Sequence, residues 1–253
     1  GINVERLRGS PLWTQALDVA GSDAELSGSL RTLTEAGFDP RTTAQTVVVA
    51  SNRNSGDLGE SAIAIVEVAY PREALVNVLV QDGYALGTDA GATHYRKGNS
   101  TVALLSDSVL AVGEHSLVAP ALAGPAGATG RVRTQLGAVD KSGAIWAVGI
   151  VPAGNQGAQA ARVAIDLSAG LRVGATLLME SEEAATAAAT MFNTQIAAVA
   201  ASPEVAAFGV APLLAGVQAQ VAGSELSIAA SMATAEFNAL VTRLAGLARE
   251  ELR

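Results

Sequence analysis

The residues best equipped for chemistry in this 253-residue chain are its two histidines, His94 and His115, because imidazole both carries protons and binds metals near neutral pH. A two-histidine metal site favours His-x-His or His-x-x-x-His spacing with carboxylate company. The pair has neither spacing, and the nearest acids in sequence are Asp89 and Glu114. The pattern predicts a surface histidine on a strand, a second histidine at a helix start, and no bound metal or other cofactor. His94, Tyr95 and Asp89 form the one grouping from which an enzyme of unrecognised type could be built.

Other catalytic patterns are missing. Neither Gly-x-Ser-x-Gly nor Ser-x-x-Lys occurs, and the serines fall at turns and caps such as Ser10, Ser181 and Ser224. Gly124, Gly127 and Gly130 resemble a phosphate loop only superficially, lacking a preceding buried strand and a trailing Lys-Ser/Thr, so a linker is expected there. The acid pair Glu182-Glu183 opens a helix, where negative charge complements the helix dipole, and requires no catalytic role. Asn99-Ser100-Thr101 matches a glycosylation acceptor, a triplet common by chance.

Two loops exceed what a hairpin needs, Asn52–Glu60 and Asp82–Ala92, and long ordered loops often carry binding residues. Asn52, Arg53, Asn54 and Asp57 in the first, with Tyr84, Asp89, His94 and Tyr95 in or beside the second, are the candidate partner contacts.

Composition narrows the function classes. The formal charge is −8, and Lys occurs only at Lys97 and Lys141. Binding nucleic acid requires cations that displace phosphate counterions, so no nucleic-acid partner is expected, and an anionic membrane surface is disfavoured for the same reason. Cysteine is absent, which removes disulfides, thiolate-bound zinc and thiol catalysis. No run of eighteen apolar residues occurs, so no transmembrane segment is expected. Gly1-Ile2-Asn3 has neither an initiating Met nor a basic-then-apolar leader, and the chain is read as a mature exported protein, periplasmic or extracellular.

The elements that must position these residues recur as a unit. Ala161–Ala200 reads as two strands around a turn at Ser168-Ala169-Gly170, then a helix capped by Ser181. Four copies of hairpin-then-helix are expected, their helices beginning PREALVNVL, EHSLVAPAL, SEEAATAAA and ATAEFNALV. Thr46–Ser51 is expected to be a strand covered on both faces, and Thr234 to cap the last helix. The expected fold is α+β, with mainly antiparallel sheet, repeated hairpin–helix (ββα) units and an internal duplication. Residues 1–123 and 131–253 form its halves, and 124–130 link them.

Gly37-Phe38-Asp39-Pro40 ahead of Val47-Val48-Val49, then Thr101 to Glu114 and Ala144 to Pro152, resemble stretches of exported or lipid-anchored bacterial proteins of uncharacterised role that carry tandem α+β repeats. The resemblance implies a cell-envelope location, with possible peripheral association, and no activity. The lipid-bearing Cys of such proteins has no counterpart here. The expected function is a non-enzymatic, extracytoplasmic binding or assembly subunit whose partner is a protein or a second copy of itself. A carrier of a small apolar ligand is the alternative, ahead of the unrecognised enzyme.

Overall fold

A computed structural model describes residues 1–14, 34, 37, 39–51, 62–89, 92–123, 130–151, 157–202, 205, 210, 213–214 and 216–251. It has an α+β fold, and every strand pairing described is antiparallel. Two compact units divide the chain, Gly1–Glu5 with Ala20–Gly127, and Arg6–Val19 with Ala128–Arg253. No helix among the described residues is long and apolar enough to cross a membrane.

The chain opens with β1 (Ile2–Asn3) and α1 (Val4–Arg8). The first unit continues through α2 (Pro40–Thr43), β2 (Ala44–Ser51), β3 (Ala62–Val68), α3 (Arg72–Gln81), β4 (Ala85–Asp89), β5 (Ala92–Lys97), β6 (Ser100–Leu104), β7 (Val109–Glu114) and α4 (His115–Leu122). Its strands lie in the order β1-β2-β3-β7-β6-β5-β4. Ala103 and Ala111 are fully buried beneath Val118 and Leu122 of α4, beside Ile63 and Ile65. Two alanines under a helix let it approach the sheet closely, which is how a chain with few aromatics packs a dense core. On the opposite face Tyr95, Val102, Leu104 and Leu110 are buried as well.

Thus β6, read as Thr-Val-Ala-Leu, is the strand covered on both sides, and the expectation for Thr46–Ser51 is corrected. Val49 is 47% exposed, and Ala50 and Ser51 are open too. α4 packs on β7, β6 and β3, leaving the end of β2 outside its cover.

The second unit holds α5 (Gly130–Ala138), β8 (Ile145–Ile150), β9 (Ala158–Asp166), β10 (Leu171–Met179), α6 (Glu182–Ala200), β11 (Gln218–Ala222), β12 (Glu225–Met232) and α7 (Thr234–Glu251). Its strand order is β11-β12-β10-β9-β8. The Ser181 side chain accepts from the Ala184 N–H at 3.1 Å and caps α6, as its sequence predicts. Ala185 and Ala189 of that helix pack on Met179, Ala219 and Leu226. In β12, Leu226 and Ile228 face this core while Ser227, Ala229 and Ser231 are exposed, the alternation of a sheet with one wet face. Phe237, Leu240 and Val241 seat α7 against Met232. Thr234 is the first helical residue rather than the cap, and the Ala233 carbonyl takes the Phe237 N–H.

Each of α3, α4, α6 and α7 follows a hairpin, and the runs of strands before them number two, four, three and two.

On the other face of β9, Arg162 donates from Nη1 and Nη2 to Glu225 Oε1 and Oε2 at 3.0 and 2.7 Å, and from Nη1 to Gln135 Oε1 at 3.1 Å. These bonds hold the Glu225 carboxyl below its ordinary value. A depressed folded value means the stabilisation is complete above the ordinary glutamate range, and fades as pH falls through the folded value. Water screens the half-open Glu225 side chain, so Arg162→Met should cost about 1 kcal/mol at pH 7 and less at pH 3, measured by urea unfolding at both.

Candidate functional site

The stretch Asp82–Ala92 is a loop only at its start. Gly83, at φ +85°, ends α3, with the Gly83 and Tyr84 N–H groups bonded back to the Val80 and Leu79 carbonyls. From Ala85 the chain runs as β4, pairing Leu86 with Tyr95 and Gly87 with His94. The glycine that reads as a loop signal serves close approach instead. A Cβ on Gly87 would lie 2.5 Å from His94 Nε2 and 2.8 Å from Cε1, so the imidazole of β5 rests on the backbone of β4.

His94 is 4% exposed, which corrects the expected surface position. Its ring lies 5.6 Å from that of His115, at the start of α4, tilted by 41°. The hydroxyl of Thr101, itself fully buried, lies 3.1 Å from His115 Nδ1, and the Asn99 carbonyl accepts the His115 N–H. The signal that could have joined the two histidines is the hairpin Lys97-Gly98-Asn99-Ser100. It folds β5 onto β6, and β6 leads through β7 to the helix bearing His115.

Neighbouring residues on a strand face opposite sides of a sheet. Tyr95 is therefore buried on the far face from His94, and the phenol and imidazole do not share a site. Asp89 is the last residue of β4. Tyr84 places its hydroxyl 3.3 Å from Ser100 Oγ, with Lys97 Nζ 5.9 Å from its ring centre. Asn52, Arg53, Asn54 and Asp57 lie outside the described residues. Among the described residues, no three His, Asp or Glu side chains converge as a metal site.

The histidines open onto a cleft of about 430 Å³ lined by Ala85, Leu86, Gly87, Thr88, His94, Arg96, Gly98 and His115. This cleft borders the outer edge of β4, the end strand of its sheet. The direction of that edge follows from the turns. Lys97 and Ser100 flank the two-residue turn Gly98-Asn99, and such a flanking pair exchanges both ladder bonds, with bonding alternating outward from it. Tyr95 then bonds to β6, while His94 and Arg96 bond to Gly87 and Ala85 of β4. The backbone groups of Leu86 and Thr88 point away from the sheet, and no hydrogen bond closes that side among the described residues. Leu86 is 66% exposed there.

The end strand of the second unit is treated differently. The same turn logic, from Gly223-Ser224, points the backbone groups of Ala219 and Val221 outward from β11. Asn193 of α6 meets those of Ala219: its Nδ2 donates to the Ala219 carbonyl at 3.2 Å, and its Oδ1 accepts the Ala219 N–H at 2.8 Å. One carboxamide thus supplies the two bonds a neighbouring strand would make at Ala219. Asn193→Ala should strand both groups, lowering stability by roughly 1–3 kcal/mol in chemical unfolding. It should also raise self-association in sedimentation by opening the edge.

No protein-family model matches the chain, and no curated protein matches it. Solved structures of TP0453 share the fold. Crystal form I is 12% identical with a TM-score of 0.50, covering 96% of this chain and 91% of that one. Form III is 11% identical at 0.50, covering 91% and 89%. Form IV is 13% identical at 0.51, covering 91% and 86%.

Proposed function

We propose that the chain is a non-enzymatic binding or assembly subunit of the extracytoplasmic space, and that it engages a protein partner by adding a strand to β4. The observation that carries this reading is the contrast between the two end strands. An exposed sheet edge is a template for pairing with another chain, and proteins close the edges they do not use. Here Asn193 takes both backbone groups of Ala219 on β11, while β4 offers the backbone of Leu86 and Thr88 beside an exposed leucine. A chain without cysteine suits an oxidising compartment, which supports the location. Hairpin followed by helix in both units supports an internal duplication, with one end strand kept for docking.

Leu86→Pro tests the reading, because proline removes an N–H that faces outward and leaves the β4–β5 ladder bonds in place. The wild-type chain should give a complex of defined stoichiometry, with itself or with a co-purified protein, in light scattering after gel filtration. Leu86→Pro and Leu86→Lys should lose that complex while keeping the circular dichroism of the parent. A strictly monomeric wild type that retains no protein, or a complex indifferent to Leu86→Pro, would sink the proposal.

A further inference from the structure

We propose that the strand received by β4 carries an acidic side chain, Asp or Glu, at the position opposite Gly87 or Ala85. This inference rests on the strand-addition reading and names the chemistry of the partner. Residues opposite one another on paired strands share a face, so side chains form rows that cross the sheet. Two adjacent rows matter. In one, His94 of β5 stands beside Gly87 of β4; in the other, Arg96 stands beside Ala85.

The β4 members of these rows are the two smallest residues, so neither screens its β5 neighbour from an incoming strand. The imidazole of His94 lies directly over Gly87 and is 4% exposed, so an incoming side chain meets it only through the cleft. A side chain opposite Gly87 would enter the cleft against that ring. One opposite Ala85 would meet the guanidinium of Arg96, whose Nε is oriented by a 2.9 Å bond to the Gly98 carbonyl. Behind His94 stands His115, held by buried Thr101.

The described lining therefore offers imidazoles and a guanidinium and no carboxylate, on a chain whose net charge is −8. The exposed guanidinium of Arg96 in this cleft complements an anionic group. A guanidinium recognises a carboxylate through charge-assisted bonds, which are stronger than the bonds it would make to a neutral amide. The backbone of Leu86 and Thr88 supplies affinity without regard to sequence, and the cleft supplies the selection.

The experiment uses the full chain and three labelled, end-blocked seven-residue peptides of alternating Thr and Val. The central residue is Glu, Gln or Lys, and binding is read by fluorescence anisotropy at low salt. The Glu peptide should bind roughly tenfold more tightly than the Gln peptide, and the Lys peptide weakest. Arg96→Glu, a change at an exposed position, should reverse the order of Glu and Lys. Leu86→Pro should abolish binding of all three. If Glu and Gln peptides bind equally and Leu86→Pro removes both, the acidic preference is wrong and strand addition stands. If no peptide binds, or Leu86→Pro has no effect, both fall. Should the chain pair with its own copy through β4, displacement of that dimer by the Glu peptide ahead of the Gln peptide supports the proposal, and equal displacement overturns it.

Discussion

Gly170→Ala is expected to destabilise the protein by about 3–5 kcal/mol, or to prevent its accumulation as folded material. Gly170 closes the turn between β9 and β10 at φ +101°, a region that side chains of L-residues rarely enter. The cost does not end with the torsion. A Cβ at this position would collide with the carbonyl oxygen of Met232, and would lie 2.9 Å from the Thr234 N and 3.0 Å from the Ala233 carbonyl carbon. All three are backbone atoms at the join of β12 and α7, so no rotamer change relieves the clash. Met232 also packs with Phe237, Leu240 and Val241, and moving its backbone would disturb the seating of α7. The measurement is chemical unfolding beside Gly223→Ala as control. Gly223, at φ +59°, has nothing within 4 Å of its would-be Cβ. That control isolates the torsional part, about 1–2 kcal/mol. Equal losses in the two variants would show that the clash at Met232 adds nothing to the cost of the torsion.

The Ser168-Ala169-Gly170 turn is legible in the sequence because its signal is local: a small-residue break between two alternating apolar runs, followed by Ser181 and two acids. The same holds for α6, whose cap and dipole partners sit within four residues of one another. What the sequence hides is non-local. Gly87 looks like loop material beside Gly83 and Gly91, and only the placement of His94 across the ladder explains why a strand keeps a glycine there. Asn193 sits between Phe192 and Thr194 in the middle of a helix, with nothing to mark it. Its role depends on Ala219, brought opposite it by the fold. Spacing along the chain misjudges the two histidines, because two hairpins set their distance. Strand alternation, by contrast, is sufficient to separate His94 from Tyr95. Adjacency in sequence on a strand argues against a shared site, and this part of the catalytic grouping is dismissed by alternation alone.

Leu226→Ala is the second large effect, about 3–4 kcal/mol from urea unfolding, because three of the four other buried residues of its core are alanines. Leu226 is 2% exposed and packs with Met179, Ala185, Ala189 and Ala219. In a core rich in bulky residues, neighbours repack into a vacated space. Alanines have no rotamers with which to do so, and two of these lie on one turn of a capped helix whose backbone is fixed. The space left by the leucine should therefore persist, and the loss should lie in the upper part of the range for such truncations. Leu226→Met, nearly equal in volume, should cost less than about 1.5 kcal/mol. The position also couples to the closed edge, because Ala219 is at once a member of this core and the residue that Asn193 bonds. The double variant with Asn193→Ala should then lose less than the sum of its parts, since a β11 loosened by either change has already given up part of what the other removes. Strict additivity would mean that core and edge are independent, and that Asn193 acts on pairing alone.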